Sequence, residues 1–124
     1  MNAKLTLSPL GHTWILDVDG TLCLHNGYKA GEDVLLPGVA EFFAQIPDED
    51  MIVLITARTE AQRPELESFM RAHSLRFDHI ICGAPMGERI LINDDKPSGL
   101  CCAYALSKPR DTALSLRLVV DDKL

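Results

Sequence analysis

Two aspartates, Asp17 and Asp19, follow a short apolar run and stand directly before Gly20 and Thr21. The run Trp14-Ile-Leu16 is continuous, which is typical of a strand buried on both faces. Gly20 lets the backbone turn sharply just beyond the second aspartate. Carboxylates at the carboxyl end of such a strand lie where open α/β sheets bind their ligands. Because the two carboxylates repel each other, we expect a cation or a shared proton to compensate.

A pair of carboxylates in this position can carry out covalent catalysis on phosphorus. One carboxylate attacks the phosphorus atom, and the other moves a proton. The alternative is a tight Asp-Gly turn with no chemical role. A turn does not require both aspartates to lie where ligands bind, so we favour the chemical interpretation.

The segment Asp17-Val-Asp-Gly-Thr21 resembles motif I of the haloacid dehalogenase superfamily, whose phosphohydrolases share Asp-x-Asp-Gly-Thr. Two further segments match the family pattern in order along the chain. Met51-Ile-Val-Leu-Ile-Thr56 is an apolar run that ends in a threonine, as in motif II. Ile90-Leu-Ile-Asn-Asp-Asp95 is an apolar run that ends in an acidic pair, as in motif IV. The resemblance spans residues 13–107, which is most of the chain.

The order of the predicted elements indicates an α/β fold. Strands are predicted at 13–18, 51–56, 77–82, 90–93, 100–106 and 114–120, and helices at 39–46 and 60–73. The strand at 100–106 is preferred over a helix, and the strand at 114–120 is expected at an edge. Strands that alternate with helices pair in parallel through right-handed crossovers. We therefore expect one domain, residues 1–124, with a three-layer Rossmann-like parallel sheet, and the resemblance implies a haloacid-dehalogenase-like form of it.

Residues 23–36 are polar and contain glycine, which predicts a loop or small β-flap after the first of these strands. Larger members of the superfamily insert a cap domain here or between motifs II and III, and this chain has no room for either. The resemblance therefore implies a capless member with an open site. Since water must be excluded by something, we expect a homo-oligomer or a substrate large enough to cover the cleft.

The resemblance also implies a role for each motif residue. Asp17 would form an aspartyl phosphate, while Asp19 would protonate the leaving oxygen and then activate water. Thr56 would donate its hydroxyl to a phosphoryl oxygen. Mg²⁺ would be held by Asp17, by the backbone carbonyl of Asp19 and by Asp94, with Asp95 acting through water. The residues expected to bind substrate are Gly20, Thr21, Ala57, Arg58 and Arg89.

The chain departs from the family in the third motif, which usually supplies a lysine after the third strand. Here that segment reads Gly83-Ala-Pro85, and no lysine occurs in residues 57–93. We expect Lys96, directly after the acidic pair, to supply the catalytic positive charge, with Arg89 and Arg58 as the other candidates. An ordinary surface lysine is the alternative interpretation of Lys96.

Composition limits the class of protein. Hydrophobic residues make up 47% of the chain and charged residues 24%, which is ordinary for a globular domain. The net charge of −6 argues against a general nucleic-acid-binding surface. No apolar run approaches the roughly 20 residues that span a bilayer, and no signal peptide is recognisable. The four cysteines lack metal-site spacing and fit a reducing cytosol, so we expect a cytoplasmic protein without zinc.

The leading hypothesis is thus a Mg²⁺-dependent phosphomonoesterase for a small phosphorylated metabolite, such as a sugar phosphate. A second hypothesis is a phospho-accepting receiver domain, which has similar length, acidity and build. Receivers carry their acceptor aspartate at the end of the third strand, whereas this chain has Ile81-Cys-Gly83 there. A third hypothesis is a catalytically weak or dead relative that acts as a binding module, which the absent motif III lysine favours.

Overall fold

A computed structural model describes residues 2–124. Its strands are β1 (Asn2–Leu7), β2 (Thr13–Asp17), β3 (Met51–Ile55), β4 (His79–Ile81) and β5 (Ser115–Val120). Its α-helices are α1 (Val39–Gln45) and α2 (Arg63–Ala72), and short 3₁₀ helices span Gly27–Ala30 and Glu60–Gln62. No helix in this part of the chain is long and apolar enough to cross a bilayer.

All strand pairs are parallel, as the alternation of strands and helices predicts. β3 lies between β2 and β4 in one sheet, and β1 pairs with β5 in a second sheet. Asp17 is in register with Ile55, so β2 and β3 end at the same edge. The prediction of an α/β protein with parallel strands is confirmed, and the arrangement is compatible with a Rossmann-like fold.

The core forms where the helices cover the two sheets. Ile52 and Leu54 of β3 are fully buried, as expected for the central strand of its sheet. Trp14 of β2 meets Phe42 of α1 edge to face, with ring centroids 5.5 Å apart. Helix α2 buries Leu66, Phe69 and Met70, which recur at helical spacing. These side chains pack into one core behind the edge at which β2 and β3 end.

Helix α1 is fixed against the start of β5 by a glycine. Gly38 precedes the helix with a φ of +85°, and an added Cβ would lie 2.3 Å from the carbonyl oxygen of Leu114. The N–H of Leu114 donates to the carbonyl of Pro37 at 2.9 Å. Only glycine allows so close an approach in this backbone conformation.

The amino end of β2 is anchored by the buried carboxylate of Asp50. This carboxylate accepts hydrogen bonds from Trp14 Nε1 at 2.9 Å, from the His12 N–H at 3.0 Å and from His12 Nδ1 at 2.7 Å. Burial by itself raises the pKa of Asp50, but these hydrogen bonds outweigh it and lower the pKa below its usual 3.8. The anchor lies at the opposite end of β2 from Asp17.

Two predicted strands are wrong. Residues 90–93 and 100–106 lie in a stretch, 82–114, that contains no helix or strand. Ile90 is 84% exposed and Ile92 is 91% exposed. We call residues 85–107 the arm, because every hydrogen bond that the described structure gives them joins two residues of this segment. A strand needs a neighbouring strand, and an apolar run alone does not supply one.

The other predictions differ from the structure mainly at their bounds. The strand expected at 77–82 is only three residues long, and the helix expected at 60–73 begins with a 3₁₀ turn. The edge strand at 114–120 is confirmed as β5, although its partner β1 was not predicted. In residues 23–36, a bridge between Cys23 and Leu35 and a 3₁₀ helix support the predicted flap.

Candidate active site

The loop after β2 folds back tightly on itself. The carbonyl oxygen of buried Val18 accepts the backbone N–H groups of residues 21–23 at 2.8–3.3 Å. Gly20 has a φ of +86°, and an added Cβ would lie 3.0 Å from Cγ of Arg110. The sequence Asp-Gly-Thr thus closes the loop directly over the end of the strand, and it leaves Asp17 at the rim.

Asp17 is partly exposed and held by its own loop. The hydroxyl of Thr21 donates to Oδ2 of Asp17 at 3.0 Å. Among the described residues, no hydrogen bond reaches Oδ1 of this carboxylate. One oxygen is therefore oriented while the other is available to a ligand.

Asp19 is paired with Arg58, which follows the end of β3. Nε and Nη2 of Arg58 donate to the two carboxylate oxygens of Asp19 at 3.1 and 2.8 Å. The same guanidinium donates to both oxygens of Asp33 in the flap at 3.2 and 2.8 Å. The Arg58 side chain is 1% exposed, so it is a buried cation between two carboxylates. A buried charge of this kind is tolerated because each of the three guanidinium nitrogens donates to a carboxylate oxygen.

The protonation of this cluster follows from its contacts. Burial alone lowers the pKa of Arg58, but the hydrogen bonds and charges of Asp19 and Asp33 outweigh it and raise the pKa above its ordinary value. Burial, followed by the charges of the same two carboxylates, raises the pKa of the Cys23 thiol to about 12. Arg58 is therefore charged and Cys23 is a neutral thiol at physiological pH.

Ligand atoms of Asp19, Cys23 and Asp33 lie within 4.8 Å of one another, the separation expected around a metal ion. However, Nη2 of Arg58 lies 2.8 Å from a carboxylate oxygen of each aspartate. The guanidinium of Arg58 thus already provides the positive charge that these carboxylates need. In this structure the group is an ion-pair cluster around Arg58.

Thr56 is 1% exposed and shapes the backbone that presents Arg58. Its hydroxyl oxygen accepts the N–H of Arg58 at 3.1 Å, and its own N–H donates to Ile81 at 2.9 Å. Its carbonyl accepts the N–H of Ala84 at 3.0 Å. Ala57, between Thr56 and Arg58, is exposed. Thr56 therefore lies at the same edge as Asp17, but it is buried.

Lys108 lies at this edge, and the sequence analysis did not predict it there. Its Nζ donates to the carbonyl oxygens of Gly20 at 3.0 Å and Thr112 at 2.7 Å. Burial lowers the pKa of Lys108, while the nearby charges of Asp111 and Asp17 act in the opposite direction. The N–H of Asp111 also donates to Gly20, at 2.9 Å. The basic turn Lys108-Pro-Arg110 was the only signal in the sequence, and it matches no motif spacing.

The remaining predicted residues lie on the arm. Asp94, Asp95, Lys96 and Arg89 are all exposed. Arg89 donates only to the carbonyls of Pro85 and Gly87, within the arm. In residues 2–124, the carboxylates of Asp17, Asp19 and Asp94 do not form a group within 4.8 Å. The structure therefore brings together Asp17, Asp19, Gly20, Thr21, Thr56 and Arg58, whereas Asp94, Asp95, Lys96 and Arg89 are exposed on the arm.

No protein-family model matches the chain, and no curated protein or solved structure is significantly similar to it. The structure defines a small α/β protein with parallel sheets and an acidic cluster at one sheet edge.

Proposed function

We propose that this protein is a phosphomonoesterase that acts through an aspartyl-phosphate intermediate, in a haloacid-dehalogenase-like fold. The observation that carries the proposal is the position of Asp17. Asp17 is the last residue of β2 and lies beside the end of the parallel strand β3. Thr21 donates to its carboxylate, and Lys108 donates to Gly20 in the tight loop that follows. Ligands of parallel α/β sheets bind at such carboxyl ends. The proposed substrate is a small phosphorylated metabolite, such as a sugar phosphate.

Asp17 is the proposed nucleophile. Because Thr21 holds Oδ2, the other oxygen can attack phosphorus in line with the leaving group. A bond forms between Oδ1 and phosphorus while the bond from phosphorus to the leaving oxygen breaks. Water then attacks the phosphorus of the aspartyl phosphate, which releases inorganic phosphate and restores the Asp17 carboxylate.

Asp19 is the proposed proton donor and acceptor in these two steps. Both of its oxygens accept hydrogen bonds from Arg58, so the carboxyl group must turn away from Arg58 to reach the leaving oxygen. Asp33 keeps the Arg58 guanidinium in place when this happens, because it accepts two hydrogen bonds of its own. Asp33 and Arg58 are therefore positioning residues in this proposal.

Lys108 is the proposed cation that offsets the charge of Asp17 and the phosphoryl group. Its ammonium contacts the loop that carries Asp17, whereas Lys96 and Arg89 lie on the arm. Gly20 and Thr21 would line the phosphoryl group, with Ala57 at the rim. Fixed positive charge beside a developing negative charge lowers the barrier because no reorganisation is needed.

Mg²⁺ is part of the proposal through the resemblance, since the ion prefers oxygen ligands in octahedral geometry. One chain offers the carboxylate of Asp17 and the backbone carbonyl of Asp19. Asp94, the third expected ligand, is exposed on the arm. We assign the ion no step.

A catalytically weak or dead binding module is the second candidate function. The observation that favours it is the bidentate pairing of Asp19 with Arg58. Both oxygens of the proposed proton donor, Asp19, already accept hydrogen bonds from Arg58. A receiver-like signalling domain has less support. The strand predicted to carry the acceptor aspartate is β4, which ends at Ile81 and is followed by Cys82 and Gly83, so no aspartate stands at its end.

A hydrolysis screen over sugar phosphates, nucleotides and a phosphopeptide, with Mg²⁺ and with a chelator, tests the proposal. We expect turnover that needs the ion, and loss of turnover in Asp17→Asn, because an amide is a far poorer nucleophile. Asp48→Asn, in an exposed turn, is the matched control. Hydrolysis by Asp17→Asn at the wild-type rate would exclude the aspartyl phosphate, and binding without turnover would favour the binding module.

A further inference from the structure

The arm is a segment with the sequence of a strand but without a strand partner in its own chain. Residues 85–99 are all exposed, and they include Ile90 at 84%, Leu91 at 52% and Ile92 at 91%. β-Branched apolar residues are enriched in strands, and consecutive exposed apolar residues mark interaction surfaces.

Strand β2 has a free edge that such a segment can fill. The N–H of Met51 donates to the carbonyl of His12, so His12 faces β3. Alternate residues of a strand direct their backbone groups to the same side, so Thr13, Ile15 and Asp17 face away from β3. Among residues 2–124, β2 pairs with β3 only, and these three residues make no other backbone hydrogen bond. The side chain of Ile15 is also 52% exposed.

The outer edges of β4 and β5 differ from the edge of β2, because side chains bond to their backbone groups. Arg63 donates to the outward carbonyl of Ile80 in β4 at 2.9 Å. The amide of Gln45 bonds to the carbonyl of Leu116 at 2.8 Å and to the N–H of Leu118 at 2.9 Å in β5. A strand edge whose backbone groups are already bonded resists pairing with another chain, whereas an edge with unpaired N–H and C=O groups can pair with one.

We propose that residues 90–94 of one copy pair in parallel with the free edge of β2 in a second copy, in a reciprocal dimer. This arrangement deepens the proposed function and rests on it for its catalytic part. In parallel pairing the arm strand ends at the same edge as Asp17. The arm of one copy then places its Asp94, Asp95 and Lys96 beside Asp17 of the other copy, and each site is built from both chains.

This pairing explains three features of the described structure that a single chain does not explain. It gives the exposed apolar residues Ile90 and Ile92 a covering surface. It gives the backbone groups of Ile15 and Asp17 hydrogen-bond partners. It also brings the acidic pair that follows the arm strand to the edge where Asp17 and Asp19 lie. An antiparallel pairing would place Asp94 at the other end of β2, near His12 and Asp50 and away from Asp17 and Asp19.

Light scattering and hydrogen exchange test the pairing without any use of activity. We expect a dimer for the wild type and a folded monomer for Ile92→Lys, because a charge in the paired strand is buried without a partner. Ile81→Lys makes the same change on the edge strand β4 and is expected to remain dimeric. The amides of Thr13, Ile15 and Asp17 should exchange slowly in the wild type and fast in Ile92→Lys. A monomeric wild type would overturn the proposal, and so would a dimer in which these amides exchange as in Ile92→Lys.

Mixing two inactive variants tests the shared site. Asp17→Asn and Asp94→Asn should each be inactive alone. Co-refolded in equal amounts, they should recover about a quarter of the wild-type activity, since half of the dimers are mixed and one of their two sites is intact. An active wild type with no recovery in the mixture would overturn the shared site while the phosphatase proposal stands. A dimer that depends on Ile92 but has no phosphatase activity would leave the pairing intact and reject the proposed function.

Discussion

The ammonium of Lys108 donates a hydrogen bond to the carbonyl oxygen of Gly20 at 3.0 Å, across 88 positions of sequence. Gly20 belongs to the loop that carries Asp17, and Asp17 acts electrostatically on Lys108. A lysine therefore lies beside the proposed nucleophile, although the segment expected to supply one contains Ala84 instead. Arg58, the second nearby cation, is bound to Asp19 and Asp33.

Replacing Lys108 tests the role of this cation. Lys108→Met should lower kcat/KM by roughly tenfold to a few hundredfold, the effect of losing one fixed positive charge beside the reacting groups. The loss should fall mainly on kcat, because the charge that Lys108 stabilises increases during attack. Lys123→Met, in the exposed C-terminal turn, should be neutral. A neutral Lys108→Met together with a crippling Lys96→Met would assign the cation to Lys96.

Removing Arg58 should destabilise the fold. Arg58→Met leaves the carboxylates of Asp19 and Asp33 without a cation, and a broken buried ion pair costs about 3–5 kcal/mol. The measurement is the free energy of unfolding in urea. Arg71→Met is the control, since its pair with Glu67 is exposed and worth about 0.5 kcal/mol or less. Similar losses in both variants would contradict the structural importance of the cluster.

Stability at acid pH should depend on Asp50. The pKa of Asp50 is lowered from 3.8 in the folded state, so its carboxylate stabilises the fold above that value. This stabilisation is lost as the pH falls through the lowered pKa, because the unfolded chain takes up the proton first. The free energy of unfolding, followed by the fluorescence of the single tryptophan, should therefore fall below about pH 4 more in the wild type than in Asp50→Asn. Asp48→Asn should keep the wild-type pH dependence.

The cysteines should differ sharply in reactivity. Cys23 is fully buried and its pKa is raised to about 12, whereas Cys101 is exposed on the arm. Alkylation follows the thiolate and its accessibility, so iodoacetamide near pH 8 should label Cys101 and spare Cys23 until urea unfolds the chain. Mass spectrometry of the digested protein measures both sites. Equal labelling in the folded protein would show that the cluster around Arg58 is open.

Elements with a continuous apolar run and a nearby partner could be predicted from the sequence. β2, β3, α1 and α2 all lie where their apolar patterns indicate. Residues 90–93 have an equally clear pattern, yet they form no strand within the described chain. The apolar pattern indicates which side chains a segment can bury, but strand formation also requires backbone hydrogen bonds to a neighbouring strand.

The sequence by itself determined the chemistry that is available at the end of β2. Asp17, Asp19, Gly20 and Thr21 are consecutive or nearly so, and local backbone geometry suffices to place them in one tight loop. Only the tertiary structure decided which cations join them. Arg58 reaches Asp19 because β2 and β3 are neighbours in parallel register, and Lys108 reaches Gly20 because the segment before β5 returns over that loop. Such contacts depend on how segments that are distant in sequence pack together. The types and spacing of the residues do not specify this packing.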